Sequence, residues 1–176
     1  MKYFEDKVNN QENAGATRKA KNNYAKGTLY KLNEDGLYRK IRSFPLVNEV
    51  SPVDAIVSNN GNYIVTFDNW HSAGYGSDVV VIYRSDGSVI KQLALEDFLT
   101  ENDIGTLPET VSSRWWGRDH YIDEKRNLLV LRIVSSTESK WTGSALEGAK
   151  SYELKLDLAT GNLLEPKRDL LPRWEA

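Results

Sequence analysis

The chain has 176 residues, of which 40% are apolar and 27% charged, with a formal net charge of −2. That is enough chain to bury a core within one domain, and the well-mixed signs exclude the concentrated basic density on which nucleic-acid binding rests. No apolar run approaches the roughly 18 residues of a membrane-spanning helix, and the absence of cysteine removes disulfides, thiolate catalysis and cysteine-based zinc sites.

The N-terminal stretch MKYFEDKVNNQENAG lacks the basic start and apolar stretch of a signal peptide. The expected location is therefore periplasmic or secreted if a signal has been removed, and cytoplasmic otherwise. A short strand around Tyr3 precedes NNQENAGATRKAKNNYAK (9–26), which is polar, poor in β-formers and read as a mobile loop. Its cations suit a solvated segment. Residues 1–26 are thus set apart, as N-terminal strand and loop, from a β-repeat region at 27–176, in a single-domain chain.

Three hairpins follow one plan. LYKLNEDGLYRKI (29–41), VVVIYRSDGSVIKQL (79–93) and YELKLDLATGNLLEP (152–166) each place a short turn ending in glycine between two strands. Gly36, Gly87 and Gly161 supply the positive φ such turns need, because glycine has no Cβ to clash. Leu154, Leu156 and Leu158 alternate with Glu153, Lys155 and Asp157, the pattern of one buried and one wet face. Ahead of the second and third hairpins lie further strand pairs, AIVSNNGNYIVTFDNW (55–70) and YIDEKRNLLVLRIV (121–134), each built around a polar turn. Between the second hairpin and the third pair, ALEDFLTEND (94–103) carries the only helical pattern, with Gly105 after it, and predicts at most one short helix.

This grammar of polar turn, strand, loop, strand, Asp-Gly turn and strand resembles a β-propeller repeat, in which a four-stranded sheet recurs about every 40 to 50 residues. The run from Pro45 to Leu99, with its TFDNWH loop, also resembles uncharacterised bacterial proteins that are commonly exported. The resemblance implies an all-β chain of three related antiparallel units, propeller-like blades in an open or incomplete array. No unit closes on a WD dipeptide, and three units are fewer than the four to eight of a closed propeller.

The connection TFDNWHSAGYGSD (66–78) joins two strands at one end of a sheet, where binding residues often collect. Trp70, His71 and Tyr75 offer stacking surfaces there, and Asp68 is placed to orient His71 if the two face each other. No nucleophile elbow accompanies them. A hydrolase or lyase using His71 with Asp68 is therefore an alternative reading, with no catalytic residue assigned in the main one. His71 and His120 fall in different units without metal-ligand spacing, so no metal and no cofactor are expected.

SSRWWGRDHY (112–121) sets two tryptophans side by side. On a strand they point to opposite faces, so one of Trp115 and Trp116 fills the core and the other covers a surface. Flanked by Arg114 and Arg118, an outward tryptophan has the composition of an interface anchor. The expectation is a non-enzymatic binding or scaffolding protein of bacterial origin. Its binding residues are Trp70, His71, Tyr75, Arg114, Trp115, Trp116 and Arg118, its partner is another protein, and a small molecule or carbohydrate is the second choice of ligand. An immunity or inhibitor protein that blocks a toxin or enzyme is a further alternative. The two loops, adjoining equivalent strand ends of successive units, are expected at one end of the assembly.

Overall fold

A computed structural model describes residues 2–7, 25–134, 140–141, 146–147 and 151–170. They form three antiparallel meanders laid face to face. The first sheet has the order β1 (Lys2–Lys7), β2 (Lys26–Leu32), β3 (Tyr38–Pro45). In the middle sheet β4 (Asp54–Val57), β5 (Tyr63–Phe67), β6 (Val80–Arg84) and β7 (Val89–Leu93) pair in sequence order. Two short helices follow, α1 (Leu95–Phe98) and α2 (Glu101–Thr106). The third sheet is built from β8 (Tyr121–Asp123), β9 (Leu128–Val134) and β12 (Ser151–Asp157). A small hairpin of β10 (Lys140–Trp141) and β11 (Leu146–Glu147) lies in the excursion between β9 and β12. A single bridge from Leu156 to Leu163 adds the stub of a fourth strand to the third sheet.

The expected all-β architecture is the one adopted, as an open array without a closed barrel. Its turns fall at the anticipated glycines: Gly36, Gly87 and Gly161 all have φ between 69° and 90°. The strand around Tyr3 pairs with β2, so it belongs to the first sheet. The loop expected at 9–26 lies, up to residue 24, outside the described residues.

The helical stretch differs from expectation. Where the sequence suggests at most one short helix over 94–103, the chain forms two, with Gly105 inside the second. Thr100 explains the break. After Leu99 turns extended and ends α1, the Thr100 hydroxyl accepts the Asp103 N–H at 3.1 Å while Asp103 accepts back from Thr100, restarting the helix as a capping box.

Both faces of the middle sheet are covered. Ile64, Val81 and Tyr83 pack with Ala25, Leu29, Phe44 and Leu46 of the first unit. Val65, Phe67, Val80 and Ile82, pointing the other way, pack with Leu129, Leu131, Ile133 and Leu156 of the third sheet and with the helices. This is why YIVTF and VVIY read as continuous apolar runs rather than alternating ones. In the flanking sheets β2 and β12 alternate between more and less buried positions, whereas β9, central in the third sheet, is buried almost throughout.

The glycine turns also contact neighbours in a regular way. A Cβ at Gly87 would fall 2.5 Å from Phe44 on β3, and one at Gly161 would collide with Lys91 on β7. Each turn therefore leans on the last strand of the preceding sheet. At Gly36, in the first sheet, a Cβ would meet nothing within 4 Å.

Candidate functional site

Three connections converge at one end of the stack: 46–53 between β3 and β4, 68–79 between β5 and β6, and 94–120 between β7 and β8. Backbone bonds tie them together. Trp70 N–H donates to the Ser51 carbonyl at 2.9 Å, and Arg114 N–H to the Ala73 carbonyl at 2.8 Å. Gly74, with φ of 74°, lets the middle loop lie directly on Arg114, where a Cβ would approach to 2.8 Å. The two loops singled out in the sequence thus meet at the same end.

Asp68 is the clasp between them. It sits in the left-handed region, φ 55°, which Asp tolerates better than most residues. Its Oδ1 accepts the Gly74 N–H at 2.7 Å, and both of its oxygens lie within 3.1 Å of the Trp116 indole nitrogen, which donates to them. Burial pushes its pKa up to about 6, against the lowering effect of those two donors and with the nearby Asp78 charge adding to the rise. No hydrogen bond joins Asp68 to His71 among the described residues. His71, at φ 73°, is exposed and packs edge-on to Trp70 at 5.4 Å.

The adjacent tryptophans split as expected. Trp116 is buried, while Trp115 is 46% exposed. Trp116 lies in an aromatic column, stacked on His120 at 4.6 Å, which stacks in turn on Phe67 at 4.6 Å, with Phe98 at 5.4 Å on the tryptophan's side. His120 is held there by a bulge. Residues 116–118 run alongside β9, Asp119 adopts φ 53°, and the chain rejoins β9 as β8. Across the bulge His120 Nδ1 takes the Arg132 N–H at 3.1 Å, replacing a backbone acceptor. Burial lowers the His120 pKa to about 4, so the imidazole is neutral at ordinary pH.

Around this clasp the remaining predicted residues divide. Arg114 lies over the Tyr75 ring at 4.7 Å, and the Tyr75 hydroxyl donates to Glu109. Trp70 is 59% exposed. Arg118 stands at the surface, 3.7 Å from Asp119. Trp116 is therefore core rather than surface, and Arg114 is a strut between loops.

On the other side of the middle sheet is a set of residues that sequence reasoning did not bring together. Tyr83 hydroxyl and Thr66 hydroxyl approach Asn48 Oδ1 at 3.5 and 3.3 Å as donors. The Asn48 amide donates to Asn69 Oδ1 at 3.0 Å, and the Asn69 amide donates to Asp78 Oδ2 at 2.7 Å. Asn48 and Thr66 are fully buried, and Asn69 and Asp78 are each only 8% exposed. The relay ends at a hollow of about 450 Å³ lined by Val47, Glu49, Ser72, Tyr75, Gln92 and the loop from Gly76 to Asp78. No motif signals it, because Asn and Asp in connections ordinarily read as turn formers.

Among the described residues no group of three or more His, Cys, Asp or Glu side chains is arranged to hold a metal ion, and no helix is long and apolar enough to cross a membrane. Comparison with protein-family models, curated proteins and solved structures finds no match.

Proposed function

We propose that this chain is a non-enzymatic binding protein, propeller-like in its repeats, that engages another protein through the end where the three connections meet. The observation that carries this reading is the combination found there. Trp70 and Trp115 present large aromatic area to solvent on loops locked by the Asp68 clasp, and Arg118, two residues past Trp116, is exposed as well. Trp and Arg are the residue types that dominate interface energetics, and a preordered loop pair loses little entropy on binding. The titratable groups support the same reading: the Asp68 carboxylate is taken up by Gly74 and Trp116, and His120 is enclosed in the aromatic column.

The test is affinity capture from cells of the source organism with the intact protein and with Trp70→Ala and Trp115→Ala variants of unchanged thermal melt. One protein held by the intact chain and lost, at least tenfold in apparent affinity, from either variant is the expected result. Equal retention by both variants would remove this end as the binding surface.

A further inference from the structure

Three carboxylates near this end are withdrawn from solvent, and they are not equally satisfied. Asp103 accepts from the Leu170 N–H at 3.0 Å, the Thr100 hydroxyl at 3.0 Å and the Thr100 N–H at 3.4 Å. Asp68 accepts from the Gly74 N–H and the Trp116 indole. Asp78 accepts one hydrogen bond among the described residues, from Asn69 to Oδ2, and its Oδ1 accepts none. No Lys, Arg or His forms an ion pair with it among the described residues. A carboxylate has room for about four donors, and an Asp this buried is almost always paired.

Its setting compounds the oddity. The relay from Tyr83 and Thr66 through Asn48 and Asn69 orients one dipole after another with its positive end toward Asp78. Oδ1 stays open because Gly76 covers nothing: a Cβ there would lie 3.2 Å from that oxygen. Asp78 lines the hollow, Glu49 contributes a second, exposed carboxylate to its rim, and Ser72, Ser77 and Gln92 add neutral polar groups. The hollow's volume is ample for one long side chain. A preoriented carboxylate oxygen open to a polar recess is complementary to an organic cation with several N–H donors.

We infer that the hollow beside Asp78 receives a cationic side chain, a lysine ammonium or an arginine guanidinium, presented by the protein that binds this end. The inference rests on the binding reading above and specifies its partner: a basic residue anchors in the hollow while the exposed tryptophans cover the surface around it.

The probe is a pair of blocked tripeptides, acetyl-Gly-Lys-Gly-amide and acetyl-Gly-Arg-Gly-amide, with the norleucine peptide as neutral control, titrated into the isotopically labelled intact chain. Saturable shifts of the Asn69 side-chain amide and the Gly76 and Ser77 N–H signals are expected at millimolar peptide. They should be at least tenfold weaker for norleucine, and should be lost in Asp78→Asn. Glu49→Gln, at an exposed position, provides a variant whose folding is not at risk and should weaken the response severalfold. Equal response to norleucine, no response to either cation, or an unchanged response in both variants overturns the inference. So does calcium chloride shifting the same signals at lower concentration than the peptides, which would make the hollow an inorganic cation site. Failure here with the tryptophan variants still losing their partner leaves the binding reading standing. Cation shifts with unaffected capture leave the hollow and remove the reading.

Discussion

The middle sheet faces two apolar seams, and toward the loop end they carry opposite chemistry. Thr66 and Phe67 are neighbours on β5, yet Thr66 feeds the amide relay toward the first sheet while Phe67 begins the aromatic column toward the third. The aromatic seam closes on itself: the His120 imidazole is neutral and stacked, and the Asp68 carboxylate is held by two donors. The polar seam runs out into an open hollow. Burying amides and hydroxyls between sheets is costly unless each is bonded; the relay bonds each of them in turn and ends at a carboxylate that opens onto the hollow. On the binding reading proposed above, rigidity comes from one seam and recognition from the other.

The largest effect expected from this division belongs to Trp116→Ala. It removes a fully enclosed ring, its stacking with His120 and Phe98 and its indole bond to Asp68, and should cost about 3–5 kcal/mol in urea unfolding. A loss under about 1 kcal/mol would mean that the column is not the stiffer seam. Asn48→Ala strikes the other seam. It leaves Asn69 Oδ1 and the two hydroxyls without their partner, for about 1–3 kcal/mol, and should also weaken the cationic peptides by releasing Asn69 from its orientation. Loss of stability with no change in peptide response would separate the relay from the hollow.

The clasp and the column respond to pH in opposite senses. Asp68 titrates near 6 in the folded chain against an ordinary 3.8, so the folded state holds the extra proton and stability from this group falls as pH rises from about 4 to 6. His120 titrates near 4 against an ordinary 6.5, so the unfolded state holds the extra proton and stability from this group rises between about 4 and 6.5. Relative to the parent chain, the melting temperature of Asp68→Asn should climb more steeply with pH across that window, and that of His120→Asn less steeply. Parallel profiles for all three chains would contradict the burial of both groups. Arg118→Ala should be the mildest change, within about 0.5 kcal/mol of parent stability because its ion pair with Asp119 is exposed, yet it should reduce partner capture.

Much of the fold was legible because its signals are local. Glycines at hairpin turns announce positive φ, and the alternation from Leu154 to Leu158 announces a half-buried strand. Adjacent tryptophans announce opposite faces. The split helix had a local signal too: Thr100 and Asp103 stand at capping-box spacing inside the stretch read as one helix. The site was legible only in outline. Sequence placed Trp70, Tyr75 and the tryptophan pair near one end and offered His71, three residues on, as a partner for Asp68, whereas the fold turns the Asp68 carboxylate toward an indole far along the chain. Asn48, Asn69 and Asp78 were illegible as a relay because nothing in their spacing records that two sheets close over them. Burial of a polar residue is a property of the assembled array.

The glycine turns carry a consequence for how this sequence can drift over generations. Gly87 and Gly161 are constrained twice, by a positive φ and by the strand pressed against each, whereas Gly36 is constrained by φ alone. Asparagine, which tolerates the left-handed region, is therefore an acceptable replacement at Gly36 and a collision at the other two. Three turns written in nearly the same letters are unequal targets for mutation, and a lineage descending from this chain would lose the first glycine well before the second or third.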